Sequence, residues 1–394
     1  MNKKLLLVLT VAGALAAPAV RADTSNVQIY GWIFPQFVDI RSSGATPVGT
    51  PASSLSSLVQ PVTGTELATR NRIDSNFSYI GFKGTEDLGG GLKAIWQIQS
   101  GIPIDAGGGV WADQNSQAGL SGKFGTVFYG NWYPPYRIVG APVSFLGISA
   151  RNIVSPTKIL TTAGLKNATA ASFHRQQNNI VEYWSPTFSG VSLKYGYSPD
   201  ETKTAVKNAS LHSASIDYRA GPVYLALGHE IHNDFFGGSA TSGKAAGTSS
   251  RDTGTRVSVG LTFGDTQVGV DVERLKYNEA GAAAGGFGSY TRDAIGIVAQ
   301  QKFGKVQVAL GLAQANDGTC SLAGGAACST TGLGALQSSI GASYSFSKST
   351  LVYAFYTHIS AKPSSTYNLA FSPGVVGSPG SDQTGVAVGL SQRF

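Results

Sequence analysis

The chain ends in Gln383-Thr-Gly-Val-Ala-Val-Gly-Leu-Ser-Gln-Arg-Phe394, where apolar residues alternate with small or polar ones. On an extended strand such a period of two separates the residues onto two faces. One face carries Val386, Val388, Leu390 and Phe394, and the other carries Ala387, Gly389, Ser391 and Arg393. A strand of this kind needs a partner at both edges. The aromatic residue at the carboxyl end favours a barrel that closes here in a membrane over a soluble sandwich.

The same alternation recurs along the chain without a change of composition that would mark a domain boundary. Further apolar faces comprise Val191, Leu193, Tyr195 and Tyr197; Val257, Val259, Leu261 and Phe263; Val268, Val270 and Val272; and Ile340, Ala342, Tyr344 and Phe346. The opposite faces are mainly Gly, Ser and Thr, with few charged residues. A water-soluble sheet would carry more charge there, whereas a crowded but wet barrel interior needs small polar residues.

The connections between these strands alternate in length. Tight Gly-rich turns occur at 87–90, 122–125, 186–190, 220–222, 263–265, 303–305 and 346–348. Longer polar segments span 42–69, 103–112, 132–172, 199–208, 235–250, 278–289, 317–333 and 362–381. Seven short turns and eight long loops join sixteen strands, and membrane-spanning strands of ~9 to 11 residues leave room for them.

The amino terminus predicts a signal peptide over residues 1–22. Lys3 and Lys4 precede an apolar run from Leu5 to Ala17, and Val20-Arg21-Ala22 provides small residues for cleavage. The apolar run is too short to span a bilayer, so residues 23–394 are predicted to form one barrel domain and a helical membrane protein is excluded. Without Lys3, Lys4 and Arg21, 26 basic residues face 22 acidic ones, which is too mild an excess to indicate a nucleic-acid partner.

The two cysteines, Cys320 and Cys328, lie close together in a segment rich in Gly, Ala, Ser and Thr. In an oxidising compartment they are candidates for one disulfide that clips a loop. We expect no part for it in function.

Several segments resemble the general porins of Gram-negative bacteria, particularly those of betaproteobacteria. Residues 81–94, Gly-Phe-Lys-Gly-Thr-Glu-Asp-Leu-Gly-Gly-Gly-Leu-Lys-Ala, resemble the second strand, first periplasmic turn and third strand of that family. Residues 119–127 and 181–190 resemble the next two periplasmic turns, and residues 388–394 are similar to the closing strand. The similarity extends along the whole predicted barrel domain.

This resemblance implies an all-β fold, a 16-stranded antiparallel transmembrane barrel whose long third extracellular loop folds into the lumen. It also implies a homotrimer in the Gram-negative outer membrane, in contact with lipid and lipopolysaccharide. Two departures affect the pore. Tyr79 occupies a pore-facing position where the family commonly has Arg, and Ser391-Gln392 stands where Arg-His is frequent. The basic wall of relatives is therefore expected to be thinner or rearranged here.

The third long segment, from Trp132 to Asn179, indicates which ions the channel prefers. It contains no Asp or Glu, and its basic residues are Arg137, Arg151, Lys158, Lys166 and Arg175. A few positive charges in a narrow aqueous pore bias permeation by sign. The sequence therefore predicts an outer-membrane channel for passive diffusion of small hydrophilic solutes, neutral or anionic, with anions preferred.

Individual pore residues are harder to assign. Arg137 and Arg151 are the first candidates for the constriction because they flank the apolar stretch 143–148, and Lys158 is the third. The facing wall is expected to come from Tyr79 and from Arg41, Arg70, Arg72, Lys194 or Arg256, with Asp271 and Glu273 as acidic counterparts. The alternative for each basic residue is a solvated loop charge or a contact with lipopolysaccharide phosphate.

No motif indicates an enzyme, a cofactor or a metal. His229-Glu-Ile-His232 lacks the spacing of the helical zinc motif, and on a strand His229 and His232 face opposite ways. Nucleophile elbows, phosphate-binding loops and zinc-spaced cysteine pairs are absent from the sequence.

Three other functions remain open on the sequence alone. A substrate-selective channel would use Trp132, Tyr133, Tyr136 and Phe145 as a binding surface for a particular nutrient. A barrel enzyme would need a catalytic set at one rim, against which the few scattered histidines argue. An adhesive or structural barrel would require the third loop to plug the lumen.

Overall fold

The computed structural model describes residues 26–51, 53, 55, 58–59, 61–66, 69–165, 172–199, 201, 203–204, 208–235, 247–369 and 378–394. The predicted signal peptide, residues 1–22, and Lys166 lie outside the described residues.

Nineteen β-segments follow one another along the described chain. They are β1 (Asn26–Ile33), β2 (Gln36–Ser43), β3 (Arg70–Asp74), β4 (Tyr79–Gly89), β5 (Leu92–Gly101), β6 (Ser116–Gly122), β7 (Gly125–Trp132), β8 (Gln177–Trp184), β9 (Val191–Ser198), β10 (Ser210–Ala220), β11 (Val223–Asn233), β12 (Ser249–Phe263), β13 (Thr266–Ala280), β14 (Phe287–Phe303), β15 (Val306–Ala315), β16 (Thr319–Leu322), β17 (Ala335–Ser345), β18 (Thr350–Ala361) and β19 (Asp382–Arg393).

These segments make sixteen barrel strands. β1 and β2 are two halves of one strand, as are β3 and β4, while β16 pairs only with the outer end of β14. Every neighbouring pair is antiparallel. The barrel closes where β19 pairs with β2 from Asp382↔Ser43 to Gly389↔Gln36 and with β1 at Trp32↔Arg393. The predicted sixteen-stranded closed barrel is confirmed.

The first two strands are each interrupted at the same level by Phe34-Pro35 and residues 75–78. Pro35 has no N–H to donate, so it breaks the ladder. Side chains and backbone replace the missing bonds: the Phe34 N–H donates to Ser78 Oγ at 2.8 Å, and Asn76 Nδ2 donates to the Phe34 carbonyl at 3.0 Å. The Leu390 N–H donates to the Pro35 carbonyl at 3.0 Å.

The two faces of the wall differ as the sequence predicts. Leu193, Val257 and Val388 are 52%, 46% and 56% exposed, and they belong to an outer apolar face, whereas Ser258, Asp271 and Ala387 on the opposite face are buried. Exposed apolar side chains are costly in water but are matched to lipid. The alternation of exposure along each strand therefore has the pattern of a membrane barrel.

In the part of the chain that the structure describes, helical structure is limited to short turns, at Pro135–Ile138, Ala141–Val143, Thr157–Thr161 and Ala323–Gly325. Within the described ranges, no helix is long and apolar enough to cross a membrane.

The segment 133–165 between β7 and β8 packs against the polar face of the wall. Its apolar residues Phe145, Ile148 and Ile159 are almost completely buried in one cluster with wall residues such as Ala309 and Ala387. Glycines on the wall allow the close approach. A Cβ added at Gly269 would lie 2.1 Å from the Pro142 carbonyl oxygen, and one at Gly385 would lie 2.5 Å from Ile153 Cδ1.

Cys320 and Cys328 are joined by a disulfide with their Cα atoms 5.8 Å apart. Both cysteines pack against a second buried cluster, which includes Phe287 and Tyr290 on β14. The bridge therefore holds the segment that carries β16 against the outer end of the wall.

Candidate pore constriction

Arg137 lies in the short helical turn that opens the third long segment. Its guanidinium carbon lies 3.5 Å from the centroid of the Tyr133 ring. Burial lowers the pKa of Arg137 to about 10, against a rise caused by Tyr133. The side chain still carries its positive charge at neutral pH, and its aromatic partner does not neutralise it.

Arg151 lies in the same segment and faces the first strands. Its guanidinium carbon lies 5.3 Å from the centroid of the Phe77 ring. Burial raises the pKa of Tyr133, while the charges of Arg137 and Arg151 both lower that pKa. The charges of the two arginines thus both act on Tyr133, and their place in one constriction stays a prediction.

A row of rings continues from Phe77 along the inner face of the first strands. Phe77 and Tyr79 have ring centroids 5.7 Å apart, and Tyr79 and Trp32 have centroids 6.4 Å apart. Arg393 completes the row, with its guanidinium carbon 4.6 Å from the Trp32 ring. We call these five residues, from Arg151 to Arg393, the arginine–aromatic row.

Tyr79 faces inward, as the resemblance implied. Its register partner is Trp32, whose indole N–H donates to Ser391 Oγ at 2.7 Å on the inner face of β19. Tyr79 and Tyr133 both pack against the large buried cluster beneath the third segment. Tyr79, which stands where the family commonly has arginine, therefore lies close to the segment that carries Arg137 and Arg151.

Lys158 is partly buried, and burial lowers the pKa of its amine. Burial also holds the pKa of His174, in the same segment, well below its usual range, and the charges of Arg137, Arg256, Lys158 and Arg151 add to that effect.

The predictions for the facing wall have mixed outcomes. Arg72 faces inward opposite Val38, but Asp74 lies 2.6 Å from it in an ion pair. Arg41 shares the face of Phe37, which is 53% exposed on the outside of the barrel. The register thus corrects the prediction for Arg41, because the parity of β2 turns its side chain away from the lumen.

Arg256 and Lys194 face inward as predicted, and carboxylates neutralise both. Arg256 forms ion pairs with Asp271 and, at 3.2 Å, with Glu273, and all three are buried. Lys194 pairs with Asp217. The acidic residues inferred from the sequence, Asp271 and Glu273, therefore lie on the inner face. They pair with Arg256 on the wall and not with Arg137 or Arg151.

The Arg256 cluster also anchors the third segment. The Tyr136 hydroxyl donates to Glu273 Oε2 at 2.7 Å, and the Tyr136 N–H donates to Ser213 Oγ at 2.9 Å. Farther along, Arg292 donates to the Leu160 carbonyl at 2.6 Å and to the Thr162 carbonyl. Glu273, the partner of Arg256, and the buried Arg292 thus hold two of the three helical turns of the segment, Pro135–Ile138 and Thr157–Thr161.

The nutrient-binding surface considered for a selective channel is not assembled as predicted. Tyr136 and Phe145 are 0% and 1% exposed, so neither can contact a passing solute. Trp132 packs edge-on against Phe128 with centroids 5.3 Å apart. Tyr133 alone of the four combines partial exposure with a place beside the arginines.

His229 and His232 lie on opposite faces of β11. His229 is exposed and bonded to Thr255 Oγ1 at 2.9 Å, whereas His232 is buried and bonded to Glu230 at 2.7 Å. Within the described ranges, no group of three or more His, Cys, Asp or Glu residues is arranged to hold a metal ion.

The sequence pattern alone does not place Arg393, Trp32 or Phe77 beside the predicted constriction. For Arg393 the alternation of β19 is a signal, because it puts this residue on the inner face. Phe77 lies in the interruption between β3 and β4, where the period of two is lost. Its position beside Arg151 results from tertiary packing and cannot be predicted from the neighbouring sequence.

A closed barrel of sixteen antiparallel strands, apolar outside and polar inside, is a transmembrane β-barrel of the outer-membrane type. The chain belongs to the Gram-negative porin family, whose profile matches residues 7–364. Porins are outer-membrane proteins and channels rather than enzymes, which confirms the predicted location and the absence of an enzymatic role.

Two curated relatives come from Neisseria. The chain is 31% identical over 219 residues to the major outer membrane protein P.IB of Neisseria lactamica, covering 55% of each chain. It is 28% identical over 285 residues to a major outer membrane protein P.IA of Neisseria meningitidis serogroup C, covering 63% of this chain and 67% of the relative. The matched region spans about half the length of the first of these relatives.

Solved structures share the fold over nearly the whole chain. The anion-selective porin from Comamonas acidovorans has a TM-score of 0.71 at 22% identity and covers 94% of this chain and 100% of its own. In-vitro folded OmpT of Vibrio cholerae has a TM-score of 0.61 at 16% identity, covering 96% of this chain and 100% of its own. At these identities the likeness is one of fold.

Proposed function

We propose that the protein is a passive diffusion channel for small hydrophilic solutes that prefers anions over cations. In this proposal segment 133–165 lies inside the barrel and narrows its lumen. Arg137, Arg151 and Lys158 supply the positive side of the constriction, and Tyr79 belongs to the wall that faces them.

The observation that carries this proposal is the difference in pairing between two sets of inward-facing cations. Arg256, Lys194 and Arg72 each have a carboxylate partner. Among the described residues, no ion pair joins Arg137 or Arg151 to a carboxylate, and both stack on rings instead. Positive charge that no carboxylate neutralises produces a local field in a narrow pore. An anion is favoured in that field and a cation is repelled.

The comparison with the Comamonas acidovorans structure supports the same preference, because that protein is described as anion-selective. Its sequence identity of 22% makes this support secondary to the charges of the chain itself.

We also propose that the channel is a homotrimer surrounded by outer-membrane lipid and lipopolysaccharide. One solved relative in fold, OmpT of Vibrio cholerae, is described in a trimer form. Exposed apolar side chains such as Phe37, Ile73 and Val388 give the outer wall a surface suited to lipid or to another copy. Lipopolysaccharide phosphates are proposed as the partners of outward-facing basic residues such as Arg41.

The direct test is the reversal potential of the purified channel in a planar bilayer across a potassium chloride gradient. A potential whose sign corresponds to chloride passing more readily than potassium supports the proposal. The opposite sign contradicts it, and the lack of any single-channel conductance would favour a plugged, structural barrel.

A further inference from the structure

The arginines of the constriction have a shared geometry in which one face of each guanidinium is covered. Tyr133 lies against Arg137, Phe77 against Arg151 and Trp32 against Arg393, at 3.5, 5.3 and 4.6 Å respectively. Stacking occupies the plane of a guanidinium but leaves the N–H groups at its edge directed outward. Among the described residues no ion pair joins Arg137, Arg151 or Arg393 to a carboxylate, and Arg151 and Arg393 are exposed while Arg137 is partly exposed, so a solute carboxylate can reach them.

The backbone of Arg151 adds a second observation. Its φ is 50°, in the left-handed region that a non-glycine residue rarely adopts. Such a conformation is strained and persists where the surrounding structure requires a particular placement of the side chain. The neighbouring Asn152 is fully buried and bonded to Gln36 at 3.0 Å, which fixes the chain at that point.

Partly exposed aromatic rings lie beside these edges. Tyr133 and Tyr79 are both partly exposed, and so is Tyr30, whose ring centroid lies 5.9 Å from that of Tyr79. Lys83 Nζ lies 5.2 Å from the Tyr30 ring. A solute that reaches Arg137 therefore meets the Tyr133 ring beside the guanidinium, and the Tyr79 and Tyr30 rings continue the row beyond Arg151 and Phe77.

We propose that the constriction binds small aryl carboxylates during their passage. This inference rests on the proposed anion preference and names the class of anion that the site favours. The carboxylate of the solute accepts from the edge of the Arg137 or Arg151 guanidinium in a bidentate pair. Its ring then makes edge or offset contacts with Tyr133 and Tyr79. Chloride interacts only with the positive charge. An aliphatic carboxylate can also form the bidentate pair with the guanidinium, but it has no aromatic ring to contact Tyr133 and Tyr79.

Benzoate and cyclohexanecarboxylate provide a matched pair of probes, because both are monoanions of similar size and only one has an aromatic ring. The measurement is the concentration of each that halves the ion current of the full-length channel in a planar bilayer. Benzoate is expected to halve the current at a roughly two- to tenfold lower concentration than cyclohexanecarboxylate, the range of an added aromatic contact.

Two variants test the residues. Tyr133→Leu is expected to bring the two half-blocking concentrations together, and Arg137→Lys, which loses the planar fork, is expected to weaken the benzoate block several-fold. Tyr129→Leu is the matched control, because Tyr129 is 65% exposed on the outer wall, and it should retain the wild-type ratio.

Equal block by the two probes in the wild-type channel would overturn the inference, and so would a wild-type ratio retained in Tyr133→Leu. If Tyr133→Leu does not fold, the wild-type ratio and the Arg137→Lys variant decide. Equal block in a channel that still prefers chloride refutes only the aryl carboxylate site. A preference for potassium refutes the proposed function itself.

Discussion

The guanidinium of Arg137 stacks on the Tyr133 ring four residues before it, with 3.5 Å between the guanidinium carbon and the ring centroid. An ion pair would hold the side chain equally well but would cancel its charge. A ring holds it through the π quadrupole and through the apolar stem, and leaves the charge in place. Positioning without neutralisation is what an ion-selective constriction requires.

The bond from the Tyr136 hydroxyl to Glu273 Oε2 should be necessary for a stable third segment. Tyr136→Phe removes the donor and leaves a buried carboxylate oxygen with one partner fewer, a loss of about 1–3 kcal/mol. We expect lower heat resistance of the folded form on a semi-native gel and more current noise. Tyr218→Phe, on the outer face, is the control, and equal heat resistance of the two variants would argue against this anchor.

Gly269 should tolerate no side chain. A Cβ there would lie 2.1 Å from the Pro142 carbonyl oxygen. This oxygen belongs to the backbone, so it cannot move aside by a change of rotamer. Gly269→Val is expected to displace the turn Ala141–Val143 from the wall and to change the single-channel conductance. Val272→Ala, on the outer face of the same strand, should leave the conductance as it is. An unaltered conductance in Gly269→Val would show that this turn does not bear on the pore.

Acidification should loosen the third segment near His174. The pKa of His174 is well below its usual value in the folded protein, so the unfolded segment binds a proton at a higher pH than the folded one does. Stability linked to this group is present above about pH 6.5 and is lost as the pH falls below that value. We expect proteolysis of residues 172–176 to accelerate between about pH 7 and pH 5.

His174→Gln cannot take up this proton, so its proteolysis rate should change less over the same interval. Identical pH profiles for the wild type and His174→Gln would assign the effect to other groups.

Reduction of the Cys320–Cys328 disulfide should leave selectivity unchanged. The bridge joins Cys320 in β16 to Cys328 and packs against the outer end of β14. None of the residues of the arginine–aromatic row belongs to this cluster. We expect the same reversal potential before and after treatment with a reductant. A shift in that potential would mean that the segment contributes to the field at the constriction.

The sequence predicts most of the barrel because the period of two is a local property. The alternation in β19 and β12 identifies the lipid-facing residues, and the seven short turns with eight longer loops give the strand number. Between residues 29 and 41 both faces carry apolar side chains, with Trp32 and Val38 inside and Phe37 outside, so the local pattern does not show on which face Arg41 lies.

The constriction is less predictable because its chemistry depends on pairing across the barrel. The absence of Asp and Glu from segment 132–179 directs attention to Arg137 and Arg151, which among the described residues form no ion pair with a carboxylate. Nothing local distinguishes them from Arg256, whose partners Asp271 and Glu273 come from the neighbouring strand. Likewise, Tyr136 and Tyr133 are three residues apart, yet only the first is completely buried.

The ion preference is proposed to arise from the arginines of the third segment that have no carboxylate partner among the described residues. Its most direct test is the reversal potential of Arg137→Gln/Arg151→Gln beside that of Arg274→Gln/Lys276→Gln, which removes two positive charges from the outer face of β13. We predict that the first variant moves the potential toward zero and the second leaves it at the wild-type value. An unchanged potential in the first variant, or equal shifts in both, would contradict the claim.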